Sequence, residues 1–197
     1  VFEVTGGTLR IFRILADGRR IITGFVHAGD LLGLSFNERY RYTAEAVTEV
    51  TLRRIARSRF QQMVDASPDL RPQLLARLCD EMAAAQDQMV LLARKSAEER
   101  VCSMLLMLAR RTGVSERHPV VELPMTRLDM ADYLGLTIET VSRIMARLTG
   151  TGVIAASGRH AVQIRRPARL AVLAGEEAAE DSPPAARAYV RQAVWPQ

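Results

Sequence analysis

The segment at residues 126–148 constrains the fold of this chain more than any other stretch. It reads TRLDMADYLGLTIETVSRIMARL. Apolar residues recur at helical spacing on both sides of Gly135, a residue type that reaches positive φ without steric cost. Ala131 is small enough for two crossing helices to touch, and Thr126 and Thr137 are favourable N-cap residues. The pattern predicts a helix-turn-helix. Its apolar positions are Met130, Leu134, Leu136, Val141 and Ile144.

The exposed face of the second helix is predicted to present Glu139, Ser142 and Arg143. The second helix of such a motif enters the DNA major groove. There, arginine can bind guanine O6 and N7 together, and glutamate can accept a hydrogen bond from cytosine N4. The alternative is an ordinary helical hairpin with charged residues on its solvent face. The small residue, the glycine turn and the apolar spacing together favour DNA binding.

Composition limits the class of protein more loosely. The chain has 197 residues, enough for one or two domains, and is 48% hydrophobic, so it can bury a substantial core. A net charge of +5 permits a nucleic-acid partner. That argument is weak, because Lys95 is the single lysine among 27 basic residues and arginine is favoured throughout. No apolar run is long enough to span a membrane.

The remaining reactive residue types do not form recognisable sites. Cys79 and Cys102 have no CxxC spacing and no nearby histidine, so we expect no metal, no cofactor and a reducing, cytoplasmic setting. The histidines, His27, His118 and His160, lie near no acid pair or nucleophile. There is also no glycine loop of the phosphate-binding type. We therefore expect a protein that is not an enzyme.

Residues 1–56 read as short strands and turns. Two β-type runs separated by Ala16-Asp17-Gly18 predict a hairpin over residues 8–26, and further strands are expected at 42–46 and 49–55. The chain begins on a strand without a methionine. We expect that further N-terminal strands belong to this domain.

A long helical pattern follows, after a short helix at 57–64. It runs from Asp69 to Arg94 with Pro72 in its first turn, where proline is tolerated. One row of apolar residues is spaced 3, 4, 3, 4 and 3 apart, which is a heptad seam: Leu75, Leu78, Met82, Ala85, Met89 and Leu92. The seam could pack on the chain's own β domain. Its regular 3.5-residue period instead favours a second copy of the chain, and hence a homodimer.

The next helix is expected to begin at Ser96, which forms a capping-box pattern with Glu99. It continues to Arg111, and a short strand is predicted at 120–123 before the helix-turn-helix. Two strands, at 153–156 and 161–164, then form a hairpin of the kind called a wing in winged helices. Its turn carries Arg159 and His160, suited to phosphate contact. A short helix is expected at 167–174, followed by a poorly ordered tail.

This order of elements resembles the CRP/FNR family of bacterial transcription regulators. Three stretches carry the likeness: GDLLGL at 29–34, LLARKSAEER at 91–100 and MTRLDMADYLGLTIETVSR at 125–143. The resemblance implies an α+β fold with an N-terminal β-roll (a cupin-like jelly roll), a long dimerisation helix and a C-terminal winged helix-turn-helix. The expected divisions are a partial β-roll at 1–66, the dimerisation helix at 67–95, the winged helix at 96–174 and the tail at 175–197.

Within the family, the chain is most similar to the FNR and FixK subgroup, and to FixK-type regulators of microoxic respiration and nitrogen fixation genes. That subgroup carries Glu-x-x-Ser-Arg, matched here by Glu139, Ser142 and Arg143. The cyclic-AMP-responsive branch has an arginine at the position of Ile138 and a glycine in place of the serine. The likeness implies a TTGAT-N4-ATCAA palindrome, with Arg143 on guanine, Glu139 on the paired cytosine, and Ser142 or Ile138 on a thymine. It further implies contact with RNA polymerase, usually for activation. The implied phosphate contacts are Thr126, Arg127, Thr137, Thr140, Arg147, Arg159 and His160.

The resemblance also frames the question of a signal. Cyclic nucleotide sensors have a glutamate and an Arg-Ser pair where this chain has Leu34, Tyr42 and Thr43. An FNR-type iron–sulfur cluster needs a cysteine near Arg53, and none occurs from residue 1 to 78. A haem would need an axial ligand, for which His27 is the candidate in the β-roll, and we expect it to be solvated at a turn.

Two modes of control remain. In FNR, an aspartate at the position of Ala85 opposes dimerisation until the cluster forms, and Ala85 brings no such charge into the seam. We therefore expect a dimer that needs no effector. The alternative is oxidation of Cys79, beside the seam, or of Cys102.

Overall fold

The computed structural model describes residues 1–34, 39–111 and 119–176. They form two compact units, and the division falls after Gln88, inside the longest helix. The first unit contains strands and two helices: β1 (Phe2–Gly6), β2 (Thr8–Ile14), β3 (Arg20–His27), β4 (Leu31–Leu32), β5 (Thr43–Ala46), β6 (Thr51–Arg54), α1 (Arg57–Ala66) and the first part of α2 (Leu70–Arg94).

The strands of the first unit form two three-stranded antiparallel sheets, in the orders β4-β1-β6 and β3-β2-β5. The predicted hairpin is confirmed, since β2 pairs with β3 from Thr8–His27 to Ile14–Arg20. One apolar cluster forms around Val4, Leu9, Val26 and Leu32. This is the β-roll that the sequence predicted, with boundaries shifted by one or two residues.

A second cluster joins the β-roll to the helices that follow it. Leu31, Ile55, Phe60 and Leu70 are buried together, so α1 and the start of α2 cover one side of the roll. Arg77 of α2 adds an ion pair to Asp30, with Nη2 to Oδ1 at 3.0 Å. Leu70 is the only fully buried residue of α2, so most of this helix lies on the surface of the single chain.

The second unit continues from Met89. Its elements after α2 are α3 (Ala97–Arg111), β7 (Val120–Glu122), α4 (Arg127–Leu134), α5 (Ile138–Gly150), β8 (Ile154–Ala156), β9 (Ala161–Ile164) and α6 (Pro167–Leu173). The strands form one antiparallel sheet in the order β7-β9-β8. The predicted helix-turn-helix, wing and short final helix are confirmed by these elements. The predicted capping box is confirmed as well.

The capping box of α3 has both of its hydrogen bonds. Ser96 N donates to Glu99 Oε2 at 2.6 Å, and Glu99 N donates to Ser96 Oγ at 3.3 Å. Helix α3 is the centre of the unit, because Val101, Met104, Leu105 and other residues of its inner face are buried. Helix α3 contacts α4, α5, β7 and α6. The recognition helix α5 is therefore seated on α3, which lies between the other elements of the unit.

One expectation about the β-roll is wrong. His27 is the last residue of β3 and half-buried, rather than solvated at a turn. Its Nδ1 lies 3.2 Å from Thr8 Oγ1, because the two residues are paired across the hairpin. Of the predicted tail at 175–197, all residues after Glu176 lie outside the described ranges. Across the described part of the chain, no helix is long and apolar enough to cross a bilayer.

Candidate nucleic-acid interface

The helix-turn-helix is held by local hydrogen bonds. Thr126 caps α4: its Oγ1 accepts from Asp129 N at 3.1 Å, and its own N–H donates to Asp129 Oδ2 at 3.1 Å. Thr137 caps α5 by accepting from Thr140 N at 3.3 Å. Between them, Gly135 has φ 63° and ψ 41°, a left-handed conformation that favours glycine. These features are all local to the motif and define where each helix begins and ends.

Helix α5 has one buried and one exposed face. Val141, Ile144, Met145 and Leu148 are buried, which seats the helix on the core. Glu139, Ser142 and Arg143 are exposed on the opposite side, as predicted, and Ile138 is 40% exposed beside them. The structure thus gathers the four predicted base-contacting residues at the N-terminal half of the recognition helix. This is the half that contacts base edges in helix-turn-helix proteins.

The carboxyl group of Glu139 is prepared to act as an acceptor. The backbone N–H of Glu139 itself and the Thr137 side chain hold its pKa below the ordinary value. An ionised carboxylate only accepts hydrogen bonds. Glu139 is therefore suited to cytosine N4, which is a donor, and unsuited to the acceptors that guanine and thymine present in the major groove.

The wing brings two further cationic or polar groups to the surface. β8 and β9 pair from Ile154–Ile164 to Ala156–Val162, and the tight turn between them contains Gly158 at φ 81°. Arg159 and His160 are exposed at this turn. Both positions agree with the prediction that the wing contacts phosphate, which remains a prediction.

Several residues predicted to contact phosphate already have partners within the chain. Thr126 Oγ1 donates to Asp129 Oδ2 at 2.9 Å, and Thr137 Oγ1 donates to Thr140 Oγ1 at 3.1 Å. Arg127 Nη1 lies 3.1 Å from the sulfur of Met130, and burial lowers the pKa of its guanidinium. Their roles at DNA remain predictions, and a phosphate would have to compete with these contacts.

Arg147 forms an ion pair within the chain, with its Nη2 2.6 Å from Glu98 Oε1. A cleft of about 510 Å³ at this point is also lined by Arg166 and Arg169, which are exposed. Sequence analysis did not single out these two arginines. The signal that could have found them is the RRPAR run directly after the wing.

Sequence analysis also missed Arg100, in the first turns of α3. Its guanidinium donates to three carbonyl oxygens: Lys95 O at 2.9 Å, Leu92 O at 2.9 Å and Leu134 O at 3.0 Å. The sequence shows only one more arginine among many, since backbone acceptors leave no trace in a residue pattern.

The seam of α2 (Leu75, Leu78, Met82, Ala85, Met89 and Leu92) is uncovered in the single chain. Leu75, Met82 and Met89 are about 60% exposed, and the remaining seam residues are exposed as well. Contiguous exposed apolar rows of this kind mark protein contacts. The alternative, that the seam packs on the chain's own β domain, disagrees with this exposure.

The two cysteines differ in their exposure to solvent. Cys102 is fully buried within α3, and burial, followed by the charge of Glu98, raises the pKa of its thiol to about 12. The thiolate is the reactive form, so Cys102 is a poor redox switch. Cys79 is exposed, next to Leu78 of the seam. Of the two thiols, that of Cys79 is the one accessible to oxidants.

Aromatic side chains surround Gly33 in the β-roll. Tyr42 Oη accepts a hydrogen bond from Gly33 N at 3.0 Å, and a Cβ atom on Gly33 would lie 3.4 Å from the Tyr40 ring. Aromatic side chains thus occupy the turn, with no charged partner for a phosphate at Leu34, Tyr42 or Thr43. These residues do not fit a cyclic nucleotide. Within the described ranges, no group of three or more His, Cys, Asp or Glu residues could hold a metal ion.

Two known domain families match the chain, one in each compact unit. Residues 1–67 match the cyclic nucleotide-binding domain family, and residues 99–173 match the Crp-like helix-turn-helix domain family. The chain is 44% identical over 167 residues to the nitrogen fixation regulation protein FixK of Azorhizobium caulinodans. That alignment covers 84% of this chain and 67% of FixK. The chain belongs to the CRP/FNR family of transcription regulators.

Two other members of this CRP/FNR family extend the comparison. The FixK protein of Bradyrhizobium diazoefficiens is 40% identical over 178 residues, covering 88% of this chain and 73% of the relative. The solved structure of FixK2 from Bradyrhizobium japonicum matches with a TM-score of 0.80 at 37% identity, covering 90% of this chain and 87% of that one. These relatives are transcription regulators. The chain is accordingly a DNA-binding transcription regulator and not an enzyme.

Proposed function

We propose that this regulator binds a TTGAT-N4-ATCAA palindrome as a homodimer. The observation that carries the proposal is the exposed row of Glu139, Ser142 and Arg143 on α5. Arg143 is suited to the guanine of each half-site, Glu139 to the cytosine paired with it, and Ser142 or Ile138 to a thymine. The family implies DNA binding and dimerisation.

The uncovered seam of α2 supports the twofold arrangement. A parallel pair of seam helices relates the two chains by a dyad, and a dyad in the protein requires an inverted repeat in the DNA. The two recognition helices should then lie about 34 Å apart, one turn of DNA. A palindrome with four intervening base pairs is compatible with that separation.

We infer further that neither a small molecule nor an iron–sulfur cluster is required. Tyr42 fills the turn where a nucleotide phosphate would need charged partners, and His27 is hydrogen-bonded to Thr8. Ala85 places no carboxylate at the middle of the seam. On this proposal, DNA occupancy follows the amount of dimer in the cell, and the bound dimer contacts RNA polymerase, mainly to activate transcription.

The test is DNA binding by gel shift, comparing the TTGAT-N4-ATCAA duplex with a scrambled duplex of equal length. Arg143→Ala should cost about 1–3 kcal/mol on the palindrome and relax discrimination at the guanine position. Arg159→Ala is the matched comparison. It should weaken palindrome and scrambled duplex alike and reduce the salt slope by about 1.

Either of two results would contradict the proposal. Equal affinity for the palindrome and the scrambled duplex would remove the assigned sequence. Binding of the palindrome that appears only when a cyclic nucleotide is added, or only after anaerobic loading with iron and sulfide, would remove effector independence.

A further inference from the structure

The junction between α2 and α3 gathers the C-terminal ends of separate helices around one side chain. Arg100 uses all three of its guanidinium nitrogens. Nη2 donates to Leu92 O at 2.9 Å, Nε to Lys95 O at 2.9 Å, and Nη1 to Leu134 O at 3.0 Å. The first two acceptors lie at the end of α2, and the third is the last residue of α4. One planar cation therefore bridges the seam helix and the first helix of the helix-turn-helix.

Leu92 and Leu134 belong to the last turns of α2 and α4, and Lys95 is the residue that follows α2, so all three carbonyls need an outside partner. The last four carbonyl groups of a helix have no partner within it. The end of a helix also carries partial negative charge, which favours a cation. Hydrogen bonds from an ionised donor are about twice as strong as neutral ones. Each hydrogen bond of the bridge is therefore favourable. Because the guanidinium is planar and rigid, it fixes the direction of the carbonyl groups as well as their distance.

Packing reinforces the bridge at the same place. A Cβ atom on Gly135 would lie 3.5 Å from Arg100 Nη1 and 3.6 Å from Leu92 Cδ2. The turn of the helix-turn-helix therefore lies directly against Leu92, the final seam residue. Leu92 keeps 39% of its surface exposed for the seam. All of these residues belong to the second compact unit, which begins at Met89.

We propose that Arg100 is a positioning residue that sets the spacer length the dimer accepts. In this proposal, which rests on the proposed binding of a palindrome by a homodimer, the bridge holds each recognition unit at one angle to the last turns of α2, which belong to the same compact unit and carry the seam residues Met89 and Leu92. The two recognition helices then have one separation. Each extra base pair between half-sites moves them by about 3.4 Å and turns them by about 35°. With the bridge intact, the dimer resists a change in the separation of its recognition helices. Without the bridge, it tolerates that change.

Lys95 provides a control at the same junction. Its Nζ donates to Ala174 O at 2.8 Å and to Ser103 Oγ at 2.8 Å. It therefore ties down the end of α6, and its side chain takes no part in the bridge between α2 and α4. Arg94 is a second control, since it is an exposed arginine next to the junction.

The experiment measures dissociation constants of the full chain for three duplexes by fluorescence anisotropy. They carry TTGAT and ATCAA separated by three, four or five base pairs. The quantity compared is the ratio of affinities for the four-base-pair spacer and the altered spacers. Arg100→Gln should reduce this ratio by roughly tenfold, the equivalent of one charge-assisted hydrogen bond. Lys95→Gln and Arg94→Gln should leave it within about twofold.

Stability is measured alongside, to separate positioning from folding. Lys95→Gln should lower the melting temperature while keeping spacer preference, and Arg100→Gln should lose spacer preference while remaining folded and dimeric. If Arg100→Gln does not fold, Arg100→Lys keeps the charge without the fork, and it should also lose spacer preference. A folded Arg100→Lys protein with full spacer preference overturns the proposal.

Other outcomes are equally decisive. If Arg100→Gln weakens binding to all three duplexes by the same factor, the residue has a structural role only and the proposal fails. If the unaltered chain does not prefer the palindrome to a scrambled duplex, the proposed function fails instead. A duplex with one TTGAT half-site separates the two cases, because base recognition by α5 should be the same in Arg100→Gln and the unaltered chain.

Discussion

Truncating Met89 gives the sharpest test of the dimer. Met89 lies on the seam and is 64% exposed in the single chain. Complete burial of a methionine side chain contributes about 1.5–3 kcal/mol. The part still exposed corresponds to ~1–2 kcal/mol, and twofold symmetry doubles it to ~2–4 kcal/mol per dimer. Met89→Ala should therefore raise the dimer dissociation constant about 30- to 700-fold.

The single chain should tolerate this change. Alanine has the highest helix propensity, and an exposed position leaves no cavity. Val90→Ala is the matched control, because Val90 is adjacent, 57% exposed and outside the seam. Sedimentation velocity over a range of concentrations measures the dissociation constants of the three proteins. An unchanged constant for Met89→Ala, or an equal increase for Val90→Ala, would refute the assignment of the seam.

Two further predictions concern the same helix and its neighbour. Ala85→Asp should weaken the dimer by at least about 100-fold at neutral pH, because two carboxylates then face each other across the seam. Ala84→Asp, off the seam, should leave dimerisation unchanged, and sedimentation distinguishes them. At pH 8, iodoacetamide should alkylate Cys79 and spare Cys102, whose pKa is raised to about 12 by burial. Peptide mass spectrometry checks this, and rapid modification of Cys102 in the folded protein would contradict it.

The helix-turn-helix could be predicted in detail because its determinants are local. Thr126, Gly135 and Thr137 act on residues within a few positions of themselves, through caps and a left-handed turn. The buried and exposed faces of α5 follow from helical periodicity alone. The same reasoning explains why the capping box at Ser96 and the wing hairpin were predicted correctly.

The features that the sequence did not predict share a different cause. His27 was expected in solvent because it was assigned to a turn, whereas it ends β3 and contacts Thr8, which is paired with it across a hairpin. Arg100 reaches Leu134, which is 34 positions away, and its acceptors are backbone carbonyls common to every residue type. The burial of Cys102 likewise depends on what packs against α3. Such contacts have no local signature.

The sequence by itself determined the order of elements, the exposed face of α5 that carries Glu139, Ser142 and Arg143, and the exposed apolar row of α2. Each is encoded by spacing along one helix or by a turn residue, so neighbouring positions are sufficient to specify it. Only the tertiary structure decided that Arg100 joins the ends of α2 and α4, that Arg147 is paired with Glu98, and that Cys102 is shielded. These properties depend on which elements meet in space, and the packing of the core around α3 settles that.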